Sequence, residues 1–180
     1  MVAADICIYT IGHSNRSLED FLALLKEFDI QALADIRSQP GSRKFPHFNL
    51  ENLETVLPAH GVRYIWLPKL GGRRKTRKGF DSPNMGLTSP GFRSYADYMG
   101  EEEFRQGVVE LLSVASESRT AYMCAEALYW QCHRRLLSDY LVAQGVEVLH
   151  ILGSKNLRSH KITEGALVTQ EGNVFYPAIP

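Results

Sequence analysis

A chain of 180 residues is long enough to bury one sizeable core, and its hydrophobic fraction of 44% with 22% charged residues excludes an intrinsically disordered segment. Twenty basic and twenty acidic residues cancel, which excludes global electrostatic steering onto nucleic acid and leaves any such attraction to a local patch. No apolar run nears the roughly 20 residues that cross a bilayer, so no membrane partner is expected.

The apolar run Ile6–Ile11 reads as a buried strand ending at Gly12-His13-Ser14-Asn15. Ser17 is placed to cap a helix, with Asp20 three residues on and Leu18, Phe21, Leu22, Leu25 and Phe28 at helical spacing. Gln31–Arg37 is a second strand, broken by Pro40 and Gly41. Asn49 is expected to cap a helix carrying Leu50, Leu53, Val56 and Leu57, which Pro58 limits and Gly61 ends. Val62–Leu67 follows as the third strand, and Pro68–Pro90 as a long surface loop.

Phe92, Tyr95, Ala96 and Met99 predict a helix breaking at Gly100, and Phe104, Val108, Leu111, Leu112 and Ala115 a second one. Thr120–Cys124 is the fourth strand, Leu136, Leu137, Tyr140 and Leu141 mark a helix stopped by Gly145, and Val146–Leu152 is the fifth strand. Leu167–Tyr176 fits a hairpin around Glu171-Gly172-Asn173. Strands alternating with helices predict one α/β domain over residues 1–180: a mainly parallel sheet of about five strands flanked by helices, with a C-terminal hairpin.

In open α/β sheets, ligands bind beyond the carboxyl ends of the strands. Those ends here carry His13 and Ser14, then Asp35 and Arg37 with Ser42 beyond, Gly71 and Gly72, Cys124 and Glu126, and finally His150. Asp35 and Glu126 are a candidate carboxylate pair for acid–base chemistry, suited to glycosidic hydrolysis, where positive charge develops on the sugar; the competing reading leaves Asp35 paired with Arg37. His13 and His133 are candidate proton donors or base contacts, and Arg134 a candidate anion clamp at a helix start.

Cys124 ends a strand, where nucleophilic cysteines of α/β enzymes lie, but Glu126 beside it opposes thiolate formation, and a small buried side chain is the competing reading. Cys124, Cys132 and His133 offer zinc-ligand types without a close cysteine pair, so neither metal nor cofactor is expected. The chain start, Met1-Val2-Ala3-Ala4-Asp5, lacks the features of a secretory signal, and three cysteines are an odd number, so a reducing cytoplasm is expected.

Lys69–Lys78 packs six cations, including Arg73 and Arg74, into ten residues, the local evidence for a nucleic-acid or phosphate-bearing partner. Tyr129 and Trp130 are candidate platforms for a base. The competing reading is a solvated basic loop balanced by Glu101-Glu102-Glu103.

Taken in order, Thr10-Ile11-Gly12-His13-Ser14, Asp35-Ile36-Arg37 with Pro40, Ser42 and Phe48, Leu70-Gly71-Gly72, Met123-Cys124-Ala125-Glu126, Cys132-His133-Arg134 and His150-Ile151 resemble the bacterial and archaeal family called domain of unknown function 488. The resemblance implies that His13, Ser14, Asp35, Arg37, Cys124, Glu126, Cys132, His133 and Arg134 are the positions that matter. The function expected from the residues is a hydrolase of nucleic acid or nucleotide, in particular a base-excising repair glycosylase using carboxylate-activated water. The alternatives are a transferase or hydrolase with Cys124 as nucleophile, and a non-enzymatic nucleic-acid-binding domain.

Overall fold

In the computed structural model, which describes residues 6–178, the apolar runs become strands covered on both faces. Strands β1 (Cys7–Gly12), β2 (Ala32–Asp35), β3 (Arg63–Trp66), β4 (Thr120–Cys124) and β5 (Glu147–Gly153) run parallel. A sixth strand, β6 (Asn156–Ser159), pairs antiparallel with β5, giving the order β3-β2-β4-β1-β5-β6. The expected C-terminal hairpin is present as β7 (Leu167–Val168) and β8 (Val174–Phe175).

Because strand side chains alternate, each central strand feeds two cores. On one face Tyr9, Ile11, Leu33 and Met123 pack against Phe21 and Leu25 of α1 (Leu18–Glu27) and Leu53 and Leu57 of α2 (Leu50–Ala59). On the other, Ile8, Ala34, Tyr122 and Val148 meet Tyr95 of α3 (Pro90–Tyr98), Phe104 and Leu111 of α4 (Glu102–Glu117) and Leu137 of α5 (Arg134–Ala143). The alternation also turns Thr10 toward the α5 side, which matters for the site. Among the described residues no helix is long and apolar enough to cross a membrane.

Local signals mostly act as expected. Ser17 caps α1 by accepting from Asp20 N at 3.0 Å. Gly145 and Gly172 take the positive φ angles, 83° and 81°, of a helix stop and a hairpin turn. Asn49 precedes α2 but does not cap it, because its Oδ1 accepts from Ser42 N at 2.6 Å and so folds the β2–α2 loop instead. The extra strand had no local signal. Asn156-Leu157-Arg158-Ser159 is exposed throughout, and only its turn, where Lys155 N donates to Glu27 Oε1 at 2.6 Å, ties it to α1.

Gly12 ends β1 where the β4–α5 loop crosses it, and a Cβ there would overlap the Glu126 carbonyl oxygen. Gly12→Ala is therefore expected to cost ~1–3 kcal/mol through overpacking. Denaturant titration checks this, and an unchanged midpoint would contradict the close crossing.

Candidate active site

The parallel direction of the strands collects distant residues along one edge. A cleft of about 880 Å³ lies there, with Cys124 and Cys132 among its lining residues. His13, Ser14, Arg37 and Ser42 border it from the β1 and β2 side, Gly72 and Arg73 from the loop after β3, and Glu126 and His133 from the loop after β4. Phe45 and Phe92 are its lining aromatics, and neither carried a signal in the sequence, since one sits in an irregular loop and the other on a helix stripe that reads as core.

Asp35 is drawn away from this cleft. Its buried carboxylate accepts from Arg37 Nε at 2.9 Å, Arg37 Nη2 at 2.6 Å, Arg37 N at 3.0 Å and the Tyr64 hydroxyl at 2.6 Å. With its lone pairs so occupied, Asp35 holds Arg37 rather than forming a catalytic pair with Glu126, which is exposed on the loop after β4. The carboxylate pair expected from the sequence is thus not assembled. Arg37 in turn donates from Nη2 to the Phe48 carbonyl at 2.7 Å and reaches His13 Nε2 with Nη1 at 3.3 Å.

Both candidate histidines have their ring protons committed. His13 lies on Phe48 at 4.3 Å and donates from Nδ1 to the Ser14 carbonyl at 2.9 Å. Burial pulls its pKa down to about 4, with the Arg37 charge adding to the effect against the backbone bond. His133 donates from Nε2 to the Ile36 carbonyl at 3.1 Å, and burial likewise lowers it to about 4. Each is neutral near pH 7 with no spare N–H, so the expected proton donors are not free. Gly72 is the contact that seats His133, because a Cβ there would come within 2.5 Å of Nδ1, while Gly71 backs onto Ser38.

Arg134 is fully buried rather than a surface clamp. Its Nε donates to Cys124 Sγ at 3.0 Å and Cys132 Sγ at 3.3 Å, Nη2 to the Glu126 carbonyl at 2.6 Å and the Ala127 carbonyl at 3.2 Å, and Nη1 to Thr10 Oγ1 at 3.1 Å. From Thr10 a single line of hydrogen bonds continues. The Thr10 hydroxyl donates to His150 Nδ1 at 2.7 Å, His150 Nε2 to His160 Nδ1 at 2.9 Å, and His160 Nε2 to Asp139 Oδ1 at 2.7 Å. Burial, helped by His160 and Arg134, pushes His150 down to about 2, so it stays neutral within this line.

Cys124 is the wrong thiol for the expected nucleophile. Burial and its hydrogen bond to Cys132 push it well up, whereas Cys132 is lowered. Burial opposes ionisation of Cys132, but the Cys124 thiol, the Arg134 charge and the Arg134 hydrogen bonds outweigh it. The zinc-type donors are dispersed: among the described residues no three His, Cys, Asp or Glu side chains group to hold a metal ion.

The basic loop is exposed, but three of its six cations, Lys69, Arg74 and Arg77, are paired with carboxylates of the protein. Arg74 stacks on Tyr98 at 3.6 Å and donates to the carbonyls of Gly71, Pro68 and Lys69, so it does not line the cleft. Lys69 pairs with Glu110 at 2.6 Å and Arg77 with Glu101 at 2.5 Å, leaving Arg73 as the loop cation that lines the cleft. The expected base platforms also lie elsewhere. Tyr129 is stacked on His150 at 3.5 Å, and Trp130, outside the cleft, faces Arg158 at 5.8 Å.

Three neutral histidines, His13 and His150 buried and His133 half-buried, make acid sensitivity predictable. His13, His133 and His150 have folded pKa values of about 4, 4 and 2, below the ordinary 6.5 of the unfolded chain. Their contribution to stability is fully present above about pH 6.5 and is lost as pH falls toward about pH 4, because the unfolded state binds the extra protons. Calorimetric unfolding near about pH 5 in buffers of different ionisation enthalpy should show proton uptake. Proton release there would contradict the assignment.

No curated protein and no solved structure matched the chain. A family model did match, over residues 17–141, a span that holds Asp35, Arg37, Gly72, Cys124, Glu126, Cys132, His133 and Arg134 and leaves His13 and His150 just outside. The chain therefore belongs to the family described as Domain of unknown function DUF488.

Proposed function

We propose that the cleft takes a phosphate-bearing substrate of the nucleotide or nucleic-acid class and that the protein hydrolyses it with water activated by Glu126, the N-glycosidic bond being the bond the site suits. The observation that carries this is compositional: Glu126 is the sole carboxylate among residues lining a cleft that Arg37, Lys44 and Arg73 also line. Cations hold phosphate, and one carboxylate among them accepts the proton of an attacking water and faces the positive charge that develops on a sugar carbon. Phe45 and Phe92, rather than Tyr129 and Trp130, supply lining rings for a base to contact.

With Asp35 committed to Arg37, the two-carboxylate mechanism contracts to one. A nucleobase leaves as a delocalised anion that water reprotonates, so the missing carboxylic acid is not essential to the bond cleavage. Lys44 and Arg73 are exposed, Arg73 touching only the neutral Gln39 through its guanidinium at 3.2 Å, so both can turn to a phosphate backbone, while Arg37 is held in place from behind by Asp35.

Oligonucleotides carrying uracil, alkylated or oxidised bases test this. Glu126→Gln should slow release of the base ~10²–10⁴-fold with binding retained. The pair Lys44→Gln and Arg73→Gln should weaken binding and reduce the slope of log affinity against log salt by ~1 per cation removed. Absence of abasic product, with Glu126→Gln indistinguishable from the parent protein, would overturn the reading.

A further inference from the structure

Outside the chemistry assigned to Glu126, the most constrained reactive group is the sulfur pair at the cleft. Cys124 Sγ and Cys132 Sγ stand 3.2 Å apart, and both residues line the cleft while only 3% and 6% exposed. Bond formation at about 2.05 Å asks for roughly 1 Å of approach, within reach of side-chain adjustment.

The charge on the pair follows from Arg134. This guanidinium is completely buried and, among the described residues, has no carboxylate partner; its contacts are the two sulfurs, one hydroxyl and two carbonyls. A buried cation left unpaired costs several kcal/mol, so the counter-charge belongs on sulfur. Cys132 also lies two residues before Arg134, the first residue of α5, near a helix start that favours an anion. One proton shared between two sulfurs, with the negative charge on Cys132, satisfies every group.

We propose that Cys124 and Cys132 form a redox-active dithiol that small hydroperoxides oxidise to a disulfide, Cys132 attacking and Cys124 resolving. In the first step the Cys132 thiolate attacks the terminal oxygen of the hydroperoxide. The S–O bond forms, the O–O bond breaks, and the departing alkoxide takes a proton from water, leaving a sulfenic acid on Cys132. In the second, Cys124 sulfur attacks Cys132 sulfur. The S–O bond breaks, and the hydroxide leaves as water with the Cys124 proton. Two thiols and one hydroperoxide become one disulfide, one alcohol and one water. A two-electron thiol reductant reverses the change.

The slight exposure of the pair selects small oxidants over protein disulfides. Cys7 is the internal control: it lies at the opposite end of β1, and burial, reinforced by Glu147, pushes its thiol up to about 11.

Intact-mass and peptide analysis of the reduced protein, treated with one equivalent of hydrogen peroxide, tests the proposal. The expected product has lost two hydrogens. Cys124 and Cys132 resist alkylation until dithiothreitol is added, and Cys7 remains alkylatable throughout. In Cys124→Ser the oxidation should stop one oxygen heavier, with a dimedone adduct on Cys132. Oxidation at Cys7 first, a disulfide between chains, or both cleft cysteines still alkylatable would overturn it. The first measurement uses the native chain, so it stands even where a variant folds poorly.

Discussion

A guanidinium with no exposure has to be neutralised and hydrogen-bonded from within, and Arg134 is that group. Its donors go to sulfur on two sides, to the loop after β4 and to Thr10 of β1. It therefore ties together the two adjacent central strands and the start of α5. The Glu126 carbonyl that Arg134 holds belongs to the residue whose side chain carries the proposed hydrolysis. Gly12, where a Cβ would overlap the Glu126 carbonyl, allows the same loop to cross β1 closely. Site geometry and core packing are here one arrangement.

The Thr10–His150–His160–Asp139 line extends the same constraint across the sheet. Thr10, His150 and His160 each accept from one side and donate to the other, so the line runs in one direction from Arg134, which only donates, to the Asp139 carboxylate, which only accepts. Tyr176, close to the C-terminus, closes the line by donating to Asp139 Oδ2 at 2.7 Å. A chain of this kind favours one tautomer for each histidine. The C-terminal segment is thereby coupled to the cleft through hydrogen bonds as well as through apolar packing.

Asp35 and Arg37 show the same principle at the neighbouring strand, with the opposite consequence for function. A carboxylate that accepts from a guanidinium, a backbone N–H and a tyrosine hydroxyl has no lone pair left for chemistry. It instead stiffens an arginine that borders the cleft. The basic loop behaves likewise in part, since Lys69, Arg74 and Arg77 pair with Glu110, Glu103 and Glu101 and Arg73 is the loop cation that lines the cleft.

Strand and helix identities, the parallel sheet and the gathering of His13, Arg37, Cys124, Glu126 and His133 at one edge were legible in the sequence, because apolar periodicity and strand–helix alternation are local and leave few topologies open. So was the charge-balanced basic loop as an alternative. What the tertiary structure alone decided is how each polar group is spent. Tyr64, 29 residues from Asp35, helps occupy that carboxylate, and Cys124 and Cys132 meet across one guanidinium because the fold brings Arg134 within reach of both sulfurs. The polar strand β6 has no signal of its own for the same reason: its pairing is set by β5 beside it. Periodicity reports which side of an element is apolar, whereas hydrogen-bond partners and ionisation depend on distances between residues far apart in the chain, and those exist only once it has folded.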